Sequence, residues 1–139
     1  MGSHLERMRS LLDSAAPAVL STYRKDGTVK LSPVWFRHEG DRFDVIIADD
    51  DVKVKHISAD PRVTLLIFEA VPPFRGVTVS DVAEITAEGL DETRRAISSR
   101  YLDDAASAEF TKAREGNGSV VRIPDRSARS WDLGGITGT

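Results

Sequence analysis

The chain of 139 residues contains no cysteine, which excludes disulfides, thiolate metal sites and cysteine nucleophiles. It also lacks a basic excess: the formal net charge is −3. A protein that grips nucleic acid broadly shows the opposite balance, so no nucleic-acid partner is expected. No apolar run approaches the ~18 residues that span a bilayer, and residues 5–12 are charged and amphipathic, unlike the core of a secretory signal. A soluble protein of a reducing cytoplasm, with no membrane partner, is expected. Histidine is scarce too. His4 falls in Met1-Gly2-Ser3-His4, which reads as a cloning remnant. His38 stands near a hairpin turn and is expected in solvent, and His56 lies on a basic helix, more often an exposed position than a supporting one. No His-x-x-x-His pair offers a zinc site, and no serine stands in a nucleophile elbow, so hydrolase chemistry has no support.

What is present is an ordinary globular composition, 40% hydrophobic and 29% charged, with length for one domain and a core that needs no covalent staples. That domain is expected over residues 5–133, with a loose tail over 134–139. Residues 5–14 show helical spacing at Leu5, Met8, Leu11 and Leu12, and Pro17 stops the helix. Strands are expected over 18–23 and 29–37, joined by a turn at Lys25-Asp26-Gly27, then over 42–48 after Glu39-Gly40-Asp41. In the second of these, Val29, Leu31, Pro33 and Trp35 share a face, while Val34 and Phe36 make the other apolar. A strand apolar on both faces is covered twice, by the core and by a ligand or a second subunit.

A short basic helix follows over 52–59, then an apolar strand over 63–68. Residues 71–76, with Pro72 and Pro73, make a stiff loop. A long strand over 77–88 carries Asp81 on its apolar face, which implies a bulge or a partnered inward carboxylate. Asp91 is placed as the N-cap of a helix through residue 101, and a second helix covers 105–115. Short strands over 119–123 and 128–131 complete the pattern of a small antiparallel barrel with flanking helices.

Chemistry-bearing residues are few. Lys53 and Lys55 sit at a helix start, where free N–H groups and the positive dipole end favour an anion. Residues two apart do not share a helix face, so at most one lysine points at a given phosphate, and two solvated lysines are the plainer reading. Asp49, Asp50 and Asp51 lack the spacing of a calcium loop, so no metal is expected; they suit the helix dipole while opposing an anion nearby. Trp35, Phe36, Phe74 and Trp131 are aromatic candidates for a ring contact, against a default of core packing. Arg75 is a second candidate cation.

Taken in order, Ser32-Pro33-Val34-Trp35-Phe36, Lys53-Val54-Lys55-His56-Ile57, Asp60-Pro61-Arg62-Val63-Thr64-Leu65 and Pro73-Phe74-Arg75-Gly76-Val77 resemble the split β-barrel family of pyridoxamine-phosphate-oxidase-like flavin and deazaflavin oxidoreductases. Val121-Arg122-Ile123-Pro124 and Ser130-Trp131-Asp132 are a weaker echo, and the resemblance runs from residue 18 to 131. It implies a split barrel and a homodimer with two cofactor sites at the interface. The cofactor would be FMN or the deazaflavin coenzyme F420, with F420 favoured, and hydride would pass to a small conjugated or aromatic substrate. Ser32, Pro33, Val34 and Trp35 would line the ring, Lys53 with Lys55 beside it would meet the phosphate, and Phe74 or Arg75 would reach in from the other subunit. Three positions depart from the family pattern: Asp51 where a second basic residue is common, His56 for asparagine, and Asp81 for glycine. A non-catalytic cofactor or ligand carrier, and an interaction module with an empty cleft, remain as alternatives.

Overall fold

Two antiparallel sheets carry the chain in this computed structural model, which describes residues 3–134. The first runs β2-β1-β5-β6-β9, from β1 (Ala18–Tyr23), β2 (Val29–Val34), β5 (Arg62–Phe68), β6 (Gly76–Val82) and β9 (Arg129–Trp131). The second runs β3-β4-β8-β7, from β3 (Arg37–Glu39), β4 (Arg42–Ile47), β7 (Glu84–Thr86) and β8 (Ser119–Pro124). Helices α1 (Ser3–Arg7), α2 (Arg9–Leu12), α3 (Val52–Ala59), α4 (Leu90–Tyr101) and α5 (Asp104–Ala113) flank them. The mainly β, split-barrel architecture expected from the sequence is what the chain forms.

Period-two alternation sets the core. Ala18 and Leu20 of β1, Val63, Leu65 and Ile67 of β5, and Val77 and Val79 of β6 turn inward. They meet Phe43, Val45, Val121 and Ile123 of the second sheet. Burying each of the larger of these side chains, from valine upward, contributes about 1.5–3 kcal/mol.

The chain crosses between sheets four times, and two of the crossings, β2 to β3 and β6 to β7, correct the sequence reading. The strand expected over 29–37 ends at Val34 and resumes as β3 in the other sheet, so Trp35 and Phe36 form the crossing itself. Its supposed double coverage also changes: Leu31 is 67% exposed and Val29 44%, while Ser32 faces inward. The strand expected over 77–88 likewise breaks at Ala83, whose N–H makes the last bond in register with the β5 side, to Pro61 O at 2.8 Å, before the chain turns to the other sheet as β7. A barrel closed by two sheets needs such corners, and alternation alone does not mark them.

Smaller corrections follow the same logic. The N-terminal helix breaks at Met8 into α1 and α2. Gly89, at φ 66°, stands at the N-cap of α4 in place of Asp91. Asp91 lies inside the first turn and accepts from Arg94 (3.2 Å) and from Gly116 N–H (3.0 Å). Asp81, by contrast, takes one of the two forms expected for it, a partnered carboxylate, held by Arg126 through two contacts of 2.9 Å. His38 is the largest change: its side chain is 1% exposed, not solvated. Its Nε2 lies 2.8 Å from Asp125 and its Nδ1 2.9 Å from Arg9. The ends called a cloning remnant and a loose tail fall, for residues 1–2 and 135–139, outside the described residues. No helix among the described residues is long and apolar enough to cross a membrane.

Candidate functional site

A cleft of ≈ 790 Å3 opens where the β2–β3 crossing faces α4 and α5. Pro33, Val34 and Trp35 form one wall, and the helices bring Tyr101 and Phe110 to it. The Trp35 ring stacks on Tyr101, 5.0 Å between centroids and 7° between planes. It meets Phe110 at 5.3 Å and 41°. Both are favourable aromatic geometries, which hold Trp35 as a fixed flat surface. Tyr101 is anchored in turn, its hydroxyl donating to Ala16 O at 2.9 Å. Burial pushes its phenol pKa up, so it stays protonated.

Lys53 enters the same cleft from the start of α3. Asp51 caps that helix by accepting from the Lys53 N–H at 2.9 Å, and its second oxygen takes Lys53 Nζ at 2.7 Å. Burial alone would raise the Asp51 pKa. The hydrogen bonds and charge of Lys53 outweigh it, and the carboxyl is held below its ordinary range. The one lysine in the cleft is therefore already neutralised.

Of the residues picked from sequence, Pro33, Val34, Trp35 and Lys53 are brought together here. Ser32 is buried beside them with a hydroxyl that has no hydrogen-bond partner, and it does not line the cleft. Lys55 is exposed on another face of α3. Phe74, half-buried at φ 56°, and Arg75 lie elsewhere in the chain's own fold. Arg75 spans both oxygens of Glu69 (2.7 and 2.9 Å) and donates to Ser10 at 2.6 Å. Phe36 is core, and the Trp131 ring lies over Gly76 where a side chain would otherwise stand.

The sequence reading missed the cleft's other cations. Arg94 is 3% exposed, and it donates to Asp91, to Arg114 O at 2.9 Å and to Asn117 O. Burial lowers its pKa, and the neighbouring Arg114 charge adds to that effect. Gly118 permits the approach, since a Cβ there would stand 2.6 Å from Ile47 O and 2.7 Å from Arg94. Arg114 is exposed, with its guanidinium 3.8 Å above the Phe110 ring. A signal did exist: Leu90, Arg94, Ile97 and Tyr101 recur at helical spacing, which places an arginine on an apolar stripe. Lys53, Arg94 and Arg114 thus face a single lining carboxylate, Asp51, in a chain of net charge −3.

Residues 5–131 match the pyridoxamine 5'-phosphate oxidase family, which is nearly the whole described chain. The chain belongs to that family. No curated protein matches the sequence significantly. Among solved structures, a conserved hypothetical protein from Mycobacterium tuberculosis is similar at TM-score 0.80 and 23% identity, over 99% of this chain and 88% of that one. A protein described as an F420 reductase is similar at TM-score 0.68 and 20% identity, over 87% and 94% of the two chains. HutZ, described as the heme storage protein of Vibrio cholerae, is similar at TM-score 0.69 and 13% identity, over 89% and 92%. At these identities the likeness carries the fold and nothing finer. The fold is thus shared by an oxidoreductase and a storage protein.

The site residues fit a flavin-type group in kind. The flat Trp35 wall suits a ring system, and the surplus of cations suits an anionic side chain on it. Among the described residues, no cluster of three His, Asp or Glu side chains could hold a metal ion.

Proposed function

We propose that this member of the pyridoxamine 5'-phosphate oxidase family is an oxidoreductase that binds a flavin-type cofactor, coenzyme F420 in preference to FMN. It acts on a small conjugated or aromatic substrate. The observation that carries this reading is the ≈ 790 Å3 cleft, walled by Pro33, Val34 and Trp35 and rich in cations. Such a cofactor, when bound, supplies hydride chemistry. The chain's own residues bind and orient: Trp35 with Tyr101 presents a rigid apolar face, and the helices α4 and α5 exclude water from one side.

A homodimer is part of the reading. The outer face of the first sheet leaves Val29, Leu31 and Val82 exposed, with β2 at an unpaired edge. Such an apolar face on a sheet edge suits burial against a second copy. A cytoplasmic setting agrees with the absence of cysteine.

Titration with F420 and FMN in parallel, followed by fluorescence at low salt, tests the proposal, with turnover against an acceptor panel as the second step. Saturable binding of F420 alone supports it in full, and binding of FMN alone reverses the cofactor preference. Binding of neither removes the enzyme reading. A second reading, a non-catalytic carrier, is favoured by one observation: Asp51 occupies the only cleft lysine. Binding without turnover would select it.

A further inference from the structure

We propose that the anion-binding end of the cleft is formed by Arg114 and Arg94 on the helical side, not by Lys53, and that its ligand is a flat ring bearing a phosphate or carboxylate. The inference rests on the cofactor reading above and deepens it by naming which charges the ligand meets.

The contacts connect in series. A ring lying against Trp35 also lies beside Phe110, 5.3 Å from Trp35, and the Arg114 guanidinium sits 3.8 Å over that same Phe110. One aromatic side chain therefore links the ring wall to a cation. Cation–π contact orients the guanidinium without using up its charge. Only one of its N–H groups is engaged, donating to Phe110 O at 3.2 Å, and no carboxylate pairs with it among the described residues. A planar fork of free donors is what a phosphate or carboxylate recognises in two-point fashion.

Arg94 stands behind it as a fixed, buried charge. Its ion-pair partner, Asp91, is 3.2 Å away with a side chain 44% exposed, the more distant charge of Asp49 adds to it, and two of the Arg94 bonds end on carbonyls. Two guanidiniums near one another repel, and an anion between them removes that repulsion. Asn117 completes the set. Its side-chain oxygen is engaged, accepting from Asp49 N–H at 3.1 Å, so the amide nitrogen of this cleft-lining residue is the group left to donate. Lys53, by contrast, has its ammonium 2.7 Å from Asp51 in a side chain only 10% exposed.

Inorganic phosphate at millimolar concentration is the first probe, followed by NMR of side-chain N–H signals in the whole protein. The proposal expects the Arg114 and Asn117 side chains to shift, with the Asn117 response abolished in Arg114→Gln and only weakly kept in Arg114→Lys, which retains the charge and loses the fork. No saturable response, or shifts centred on Lys53 and α3, overturns it. The second probe uses matched rings with and without charge, FMN against riboflavin and 2-naphthoate against 2-naphthamide, read by tryptophan quenching. The anionic member of one pair should bind about tenfold or more tightly, a preference lost in Arg114→Gln while its neutral partner is unaffected. The pair that responds tells a cofactor phosphate from a substrate carboxylate. If phosphate shifts Arg114 but no flavin or F420 binds, the cofactor reading fails and the anion end stands. If flavins bind with a preference independent of Arg114, the anion end fails and the cofactor reading stands.

Discussion

Asp51 and Lys53 neutralise each other across 2.7 Å at the head of α3, inside the cleft that Trp35 walls. The same aspartate caps the helix, so one residue sets both the local backbone and the local charge. Replacing both residues, in Lys53→Ala with Asp51→Asn, should therefore change the affinity for an anionic ring less than about threefold, since it removes two charges that already cancel. Asp51→Asn is the informative change. Asparagine caps nearly as well as aspartate, so stability should fall by less than about 1 kcal/mol. Lys53 is freed, and FMN affinity relative to riboflavin should rise by roughly five- to tenfold. Titration of the three proteins with both ligands reads this directly, and no gain in Asp51→Asn would mean that Lys53 cannot reach the ligand.

His38 ties the N-terminal helices to the β8–β9 connection. Arginine can only donate, so Nδ1 accepts from Arg9 and Nε2 carries the proton to Asp125. Asp125 is 5% exposed, and loss of the imidazole leaves it without that donor. His38→Leu should cost about 2–4 kcal/mol in urea denaturation, the range for stranding a buried charged acceptor. Adding Asp125→Asn should recover part of the loss, because the stranded charge is gone. A loss under about 0.5 kcal/mol would show that water replaces the imidazole.

These two pairs also explain what the sequence disclosed and what it did not. Strands such as β1 and β5 announce themselves because one face is buried, and the Lys25-Asp26-Gly27 turn is local chemistry. Residues 33–35 and Lys53 were legible as site candidates because an apolar run and a cationic helix start are local features too. His38 was not, since its partners are 29 and 87 residues away and leave no period in the chain. The corners at Trp35–Phe36 and Ala83 were missed for a related reason: alternation continues through a bend that only the second sheet defines. Arg114, just past the end of α5, reads as a solvent-facing charge until the cleft is formed, and Arg94 is marked only by its place on the apolar stripe of α4.

Acid should loosen the protein in a definite window. Glu69 is held below its ordinary pKa chiefly by the Arg75 hydrogen bond, and Asp81 chiefly by that of Arg126. A depressed folded pKa contributes stability that is complete above the unfolded value and is lost as pH falls through the folded one. The urea midpoint should therefore hold level from neutral pH to about 5 and drop below about 4. Glu69→Gln should lower the plateau and flatten the drop. An equally steep fall in that variant would assign the acid sensitivity to other carboxylates.

Leu31 offers the cleanest test of assembly. It is 67% exposed on edge strand β2, so its side chain adds little to the monomer's own core. Surface substitutions of this kind usually alter stability by no more than about 0.5 kcal/mol. If the first sheet's outer face is buried against a second copy, Leu31→Asp places a carboxylate in an apolar contact and should shift the sedimentation equilibrium from dimer to monomer. Pro33 follows two residues on along the same strand face and lines the cleft, so a dimer built on that face would couple assembly to ligand binding through β2. Ligand affinity should accordingly fall with dimerisation in Leu31→Asp, by an amount that recovers at high protein concentration. A dimer that persists unchanged in this variant would move the interface to another face, and a wild-type monomer would leave β2 an exposed edge.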